Sequence, residues 1–400
     1  MPLSAKYQSL EEYPFTRLAR LLAPVTPRAN ETPILMSVGE PQHQPPAFMA
    51  RVIAENSHLW NRYPAMAGTE ALRTAAARWL GSRYRLPPGM IEPGRHVVAL
   101  SGTKEGLYML ASLVIPEKKA GALPIALMPN PYYLVYSGGA HMAGAETLPL
   151  DATAATGFLP DLDAIPETVL RRTALFYLCT PANPQGACAD LAYFEKLIRL
   201  ARRYDFVLAV DECYSEIYDR APPVGGLEAC AAMGGDTANV VVFHSLSKRS
   251  NAAGLRVGVA AGDPDLLARF GVLRSYGGAQ VPLPLQEAAV ALWQDEAHVE
   301  ANRRLYRRKF DICEEILKGR FGFYRPAGGF FLWLDVGDGE AATLKLWREA
   351  ALRSLPGPYI GRANAEGINP GERYIRLAIV DDDDTVAAGM RRLVQVLAGA

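Results

Sequence analysis

Five short segments are apolar at every position rather than at alternate ones: "VVAL" (97–100), "PIALM" (124–128), "ALFYLC" (174–179), "FVLAV" (206–210) and "VVVF" (240–243). A strand with one wet face alternates polar and apolar residues, so a run apolar throughout must be covered above and below. Longer amphipathic stretches, among them "EGLYMLASLVI" and "LAYFEKLIRLARRYD", follow two of these runs. Strands alternating with helices in this way predict an α/β fold: a large, mostly parallel sheet with helices on both faces. After residue 286 the pattern changes to a long charged helix, the strand "FFLWLDV", another helix and the strand "RYIRLAIV". That reads as a second, smaller α/β domain. The predicted division is an N-terminal segment, 1–50, joining the small domain, a large domain, 51–285, and a small domain, 286–400.

In an open parallel sheet, ligands bind beyond the carboxyl ends of the strands. The residues there are "GTKEG", "PNPYYLVY", "TPANPQG", "DECY" and "SKRSNAAGLR". Asn183, Asp211, Tyr214, Lys248 and Arg256 therefore share one rim. A lysine that is partly desolvated among cations is a usable amine nucleophile, whose product with a carbonyl is a Schiff base. A buried aspartate holds a proton on a heteroaromatic nitrogen. Ser245, Ser247, Arg256 and the backbone of Gly102, Thr103 and Lys104 at a helix start offer donors to a phosphate. These needs coincide in pyridoxal 5′-phosphate, an electron sink for carbanions at Cα. Singly, each piece has a plainer reading: a solvated lysine, a helix cap, the turn "ANPQG". Their fall at successive strand ends favours the functional one.

The composition narrows the partners. With 42 basic and 42 acidic side chains, the chain has no electrostatic bias toward nucleic acid or an anionic membrane. Five cysteines without CxxC spacing support neither a disulfide framework nor a zinc site, and the six histidines have no ligand spacing, so no metal is expected. A reducing, cytoplasmic setting follows from the cysteines. No GxGxxG opens a helix after the first strand, which disfavours a nicotinamide dehydrogenase.

"SLSKRSNAAGLRVG" resembles the cofactor-lysine segment of the class I/II aminotransferases of fold type I, and the resemblance extends through "SVGEP", "RYPAMAGTEALRTAAARW", "SGTKEG", "PNPYYLVY", "TPANPQG", "VDECYSEIY" and "RYIRLAIV". It implies that Lys248 carries the cofactor and moves the substrate Cα proton, and that Asp211 pairs with the pyridine nitrogen. Asn183 and Tyr214 would bond the ring hydroxyl oxygen, and Tyr133 would stack on the ring. Gly102, Thr103, Lys104, Ser245, Ser247 and Arg256 would hold the phosphate. Tyr63 would reach it from the other subunit of a homodimer with shared sites. Arg376 would grip the substrate α-carboxylate beside Gly39. A finer resemblance, in "VGEPQH", "QDEAHVEANRRLYRRKFD" and "LPGPYIGRANAEGINPGERYIRLAIV", is to the N-succinyldiaminopimelate branch. It implies glutamate and 2-oxoglutarate as one substrate pair, and a succinylated amino and keto acid as the other. Ala252-Ala253 and "SYGGAQVPLPLQ" depart from that branch. The alternatives are an aminotransferase for aspartate, alanine or aromatic amino acids, or a C–S lyase or decarboxylase using the same Lys248 and Asp211. Arg17, Lys104, Arg274 and Arg362 are available cations for a distal carboxylate.

Overall fold

The computed structural model describes residues 4–28 and 31–398. Its large sheet has seven strands: β1 (Val97–Leu100), β2 (Ile125–Asn130), β3 (Glu146–Asp151), β4 (Thr173–Cys179), β5 (Val207–Asp211), β6 (Val240–Ser245) and β7 (Gly258–Gly262). They lie in the order β1-β7-β6-β5-β4-β2-β3, and only β7 runs against its neighbours. The double apolar pattern has the anticipated cause. Val240 and Val242 of β6 join one buried cluster, while Val241 and Phe243 join another on the opposite face. Each such side chain contributes roughly 1.5–3 kcal/mol on burial, so a polar residue on either face would be costly.

Two strands were not legible as such. β7 reads "GVAAG", small residues with little strand preference; it is held by β1 and β6 on either side. β3 reads "ETLPLD" and occupies the edge, where Pro149 costs no ladder bond on the open side.

A second, three-stranded antiparallel sheet comprises β8 (Phe331–Asp335), β9 (Leu355–Pro356) and β10 (Tyr374–Ala378), in the order β9-β10-β8. The helices Ala297–Leu317, Gly339–Ala350 and Asp383–Leu397 bury apolar faces in the core that β8 and β10 share. The N-terminal segment joins this unit: Ile34–Leu35 pairs in parallel with Leu352–Arg353, and Leu18 and Leu22 pack on Leu355 and Tyr359. A division at 285/286 would cut the helix Leu283–Gln294, whose Ala288, Ala289, Leu292 and Trp293 bury with the large-sheet core. We therefore propose a boundary after Gln294. No helix among the described residues is long and apolar enough to cross a membrane.

Candidate active site

The carboxyl ends of β4, β5 and β6 open into a cavity of about 430 Å³, with Phe331 of β8 and Arg376 of β10 forming its far wall. Gly39, Thr103, Lys104, Tyr133, Asn183, Asp211, Tyr214, Ser245, Ser247, Lys248, Arg256 and Arg376 all line it. Two residues that the resemblance assigns to the phosphate do not. Gly102 lies just behind the wall, and Tyr63 stands 98 % exposed on the surface of the protomer.

Lys248 sits in the short helix Leu246–Arg249 that begins as β6 ends. Burial draws its amine down to about 8, with nearby Arg376 and Arg256 acting in the same direction and Cys213 and Glu40 opposing. Its Nζ donates to the Gly39 carbonyl at 2.7 Å. Ser245 caps that helix, its hydroxyl accepting from the Ser247 amide at 3.1 Å, so both serines are fixed at the cavity edge.

Asp211 ends β5 and is buried, which raises its carboxyl above the ordinary range. Tyr136 donates to its Oδ2 at 2.7 Å, and the Cys213 amide to its Oδ1 at 3.2 Å. Tyr136 stands one helical turn beyond Tyr133 and stacks on Tyr177, ring centroids 4.6 Å apart and 9° from parallel. Sequence reading did not select Tyr136; its spacing of three from Tyr133, which caps the helix Leu134–Ala143, was the available signal. The Tyr133 hydroxyl is pushed up by burial first, then by Tyr13, Asp211 and Cys213, with Arg256 opposing.

The phosphate-type cradle is assembled by backbone shape. Gly102 has φ +81° and begins the helix Thr103–Val114. A Cβ there would come within 2.1 Å of Arg256 Nη2, so only glycine lets the guanidinium lie across the helix start. Arg256 is itself left-handed, at φ 57° and ψ 47°, an uncommon conformation for a non-glycine residue and one that clusters at functional sites.

Arg376 is buried in β10 and is drawn down to about 10 by burial, which leaves it cationic at neutral pH. Its Nη1 donates to Asn183 Oδ1 at 3.0 Å and its Nη2 to the Ser37 carbonyl at 2.7 Å. Among the described residues its buried Nε has no partner. Gly39 lies flat against the wall, where a Cβ would meet the Phe331 ring at 2.4 Å.

The cavity is also lined by residues that sequence reading passed over, Tyr13, Pro14 and Phe15, with Glu40 and Ile360, and by Tyr132, the neighbouring alternative to Tyr133 as the stacking aromatic. Of the four available cations, only Lys104 lines the cavity. Arg274 is committed elsewhere, pairing with Glu105 and donating to the carbonyls of Met66, Ala99 and Ala279. Arg362 is paired with Glu11, and Arg17 lies 4.0 Å above the Tyr359 ring.

A softened lysine amine, a buried acid, a donor-lined cradle and a buried arginine with an unused N–H fit pyridoxal 5′-phosphate and an amino-acid carboxylate. The fold and this site together define a pyridoxal-phosphate enzyme acting on small amino and keto acids. The chain belongs to the family Aminotransferase class I and II, which it matches over residues 31–393, and it is a pyridoxal-phosphate-dependent aminotransferase. It is 33 % identical over 393 residues to the LL-diaminopimelate aminotransferase of Syntrophobacter fumaroxidans, covering 96 % of each chain. Its fold matches an aminotransferase from Neisseria meningitidis with a TM-score of 0.93 at 36 % identity, over 99 % of this chain and 100 % of that one. A probable N-succinyldiaminopimelate aminotransferase from Thermus thermophilus matches with a TM-score of 0.83 at 27 % identity, over 96 % and 100 % of the respective chains.

Proposed function

We propose that this aminotransferase exchanges an amino group between glutamate and N-succinyl-2-amino-6-oxopimelate, in the diaminopimelate branch of lysine biosynthesis, in the cytoplasm. The observation that carries the chemistry is the meeting of Lys248, Asp211 and Arg376 in one cavity, although Asp211 ends a strand of the large sheet, Lys248 lies on the short helix after another, and Arg376 belongs to the small sheet. Pyridoxal phosphate, when bound, supplies the electron sink for a carbanion at Cα.

In this reading Lys248 holds the cofactor and moves the proton at the substrate Cα; its softened amine is neutral for part of the time near neutral pH. Asp211 keeps the pyridine nitrogen protonated, with Tyr136 and the Cys213 amide stabilising the carboxylate. Asn183 and Tyr214 bond the ring oxygen, and Tyr133 stacks on the ring. Gly102, Thr103, Lys104, Ser245, Ser247 and Arg256 hold the phosphate. Arg376 binds the α-carboxylate next to Gly39, its guanidinium already oriented by Asn183 and Ser37. Tyr63 extends from one protomer of a homodimer into its partner's site, which suits its full exposure.

The succinylated substrate is supported by the aromatic mouth of Tyr13, Phe15 and Tyr132 beyond Arg376, a surface suited to the methylenes of an acyl chain. The name of the Thermus relative points the same way. A second reading, transamination of free LL-diaminopimelate, is favoured by the Syntrophobacter relative. The two are separated by 2-oxoglutarate-dependent deamination of N-succinyl-LL-diaminopimelate beside free LL-diaminopimelate, with aspartate, alanine and phenylalanine in the same panel. A kcat/KM at least about tenfold higher for the succinylated compound is expected, one to two kcal/mol of selective contact. Preference for the free diamine, or for a common amino acid, would replace the substrate while leaving the chemistry in place.

A further inference from the structure

Behind the cavity wall, four segments meet around His43. Lys309, on the helix Ala297–Leu317, is only 1 % exposed and directs Nζ at His43 Nε2 (2.5 Å) and the Val380 carbonyl (3.2 Å). His43 Nδ1 faces Asn302 Oδ1 at 2.7 Å, and that oxygen also accepts from Asn251 Nδ2 at 3.1 Å. An ammonium has no lone pair, so Lys309 requires Nε2 to be the acceptor. Nδ1 then carries the proton and donates it to Asn302. Every bond in the chain has its direction set by the lysine.

None of these side chains lines the cavity, yet each is tied to a segment that does. His43 ends the strap 36–43, whose Ser37 carbonyl accepts from Arg376 and whose Gly39 carbonyl accepts from Lys248, both at 2.7 Å. Asn251 follows Lys248 by three residues, and Val380 follows Arg376 by four. Tyr306, from the same helix as Lys309, sets its ring 4.8 Å from His43 and stacks on Phe330 at 5.5 Å. A buried ammonium against an imidazole is a costly way to fill space, so packing alone does not account for it.

We propose that His43 and Lys309 are positioning residues that hold the strap 36–43 in register with Arg376 and Lys248, and that they do so only while His43 is neutral. The proposal rests on the reading of Arg376 and Gly39 as the carboxylate site. The charged groups facing His43 are Lys309 and Arg308 from the long helix and Asp383 from the C-terminal helix; Lys309 also faces Asp381 and Asp382. Burial lowers His43 below its usual 6.5, with Lys309 and Arg308 adding to the fall and Asn302 and Asp383 opposing it. Once protonated, His43 has no acceptor for Lys309, two cations stand in contact, and the strap loses its anchor.

The test uses the loaded enzyme and its His43→Leu, His43→Gln, Lys309→Met and Arg376→Ala variants, with cofactor content followed by absorbance. KM and kcat for glutamate and 2-oxoglutarate are measured across pH. His43→Leu and Lys309→Met should raise both KM values about tenfold at full cofactor content, with kcat within about twofold, the scale of one charged hydrogen bond. His43→Gln should keep a wild-type KM, because its amide accepts from Lys309 and donates to Asn302. It should also remove the rise in KM on the acid side. A wild-type KM in His43→Leu, or an unchanged acid-side rise in KM in His43→Gln, overturns the proposal alone, provided Arg376→Ala raises KM. A wild-type KM in Arg376→Ala overturns the carboxylate reading and the proposal together.

Discussion

Replacing Tyr136 with phenylalanine removes one hydroxyl from a buried carboxylate and little else. The ring remains to stack on Tyr177, so the packing that holds the helix Leu134–Ala143 is retained. What is lost is the 2.7 Å bond to Asp211 Oδ2, leaving the carboxylate the Cys213 amide, at 3.2 Å, and the Cys213 thiol. A hydrogen bond to a buried charged group is worth about 1.5–3 kcal/mol, and it favours the ionised form alone. At about 1.4 kcal/mol per pKa unit, Asp211, already raised by burial, should rise by a further one to two units. On the proposed role, only ionised Asp211 holds the proton on the ring nitrogen, so the acid limb of kcat should move to higher pH by the same one to two units, and kcat on the acid side of that limb should fall about 10- to 100-fold. KM for glutamate should change little, because Arg376 is untouched. Steady-state kinetics across pH, with the cofactor absorbance band as a second probe of ring protonation, make the measurement. A variant with lowered Tm but a wild-type acid limb and kcat would refute the argument and reduce Tyr136 to a packing residue.

Gly102→Ala should weaken cofactor binding by about 100-fold in an absorbance titration, since the new Cβ displaces Arg256 and the φ of +81° is strained for alanine; unaltered binding would mean that Arg256 does not hold the phosphate. Reconstitution of the apoenzyme with cofactor should accelerate as pH rises, with a midpoint near 8, because the neutral Lys248 amine is the nucleophile and protonation below that value withdraws it. A rate independent of pH through that region would contradict the softened lysine. Borohydride reduction of the loaded enzyme should fix the cofactor on the peptide containing Lys248, and recovery on any other lysine would remove its assignment. Mixing inactive Lys248→Ala and Tyr63→Ala subunits should restore activity, because one hybrid site then holds Lys248 from one protomer and Tyr63 from its partner; no recovery after subunit exchange would count against shared sites.

The legible part of this chain was whatever depends on local pattern. Runs such as "VVVF", apolar at every position, can only be interior strands of a covered sheet, and the polar residues just past them must then reach its carboxyl edge. That is why Asn183, Asp211, Ser245, Lys248 and Arg256 were found from spacing. Arg376 and Gly39 were reached only through the family resemblance, since nothing in the local sequence says that β10 of the small sheet reaches the cavity at the carboxyl ends of the large sheet's strands. β7 and β3 escaped notice because glycine-alanine and proline-containing strands are held by their neighbours rather than by their own preference. The division at 285/286 followed a change of pattern, whereas the helix Leu283–Gln294 belongs by burial to the large core.

By itself the sequence determined the layered α/β plan and the chemical type of each rim residue, since both follow from periodicity and functional groups along a continuous stretch. Tertiary structure alone decided that Tyr136 supports Asp211, that Arg274 is consumed by Glu105 and three carbonyls, and that His43 meets Lys309. Apart from the bond to the Ala279 carbonyl, each of these contacts joins residues 75 or more positions apart. Such pairings are fixed by how the helices and the two sheets pack, where side-chain direction and burial select one partner among many of suitable chemistry.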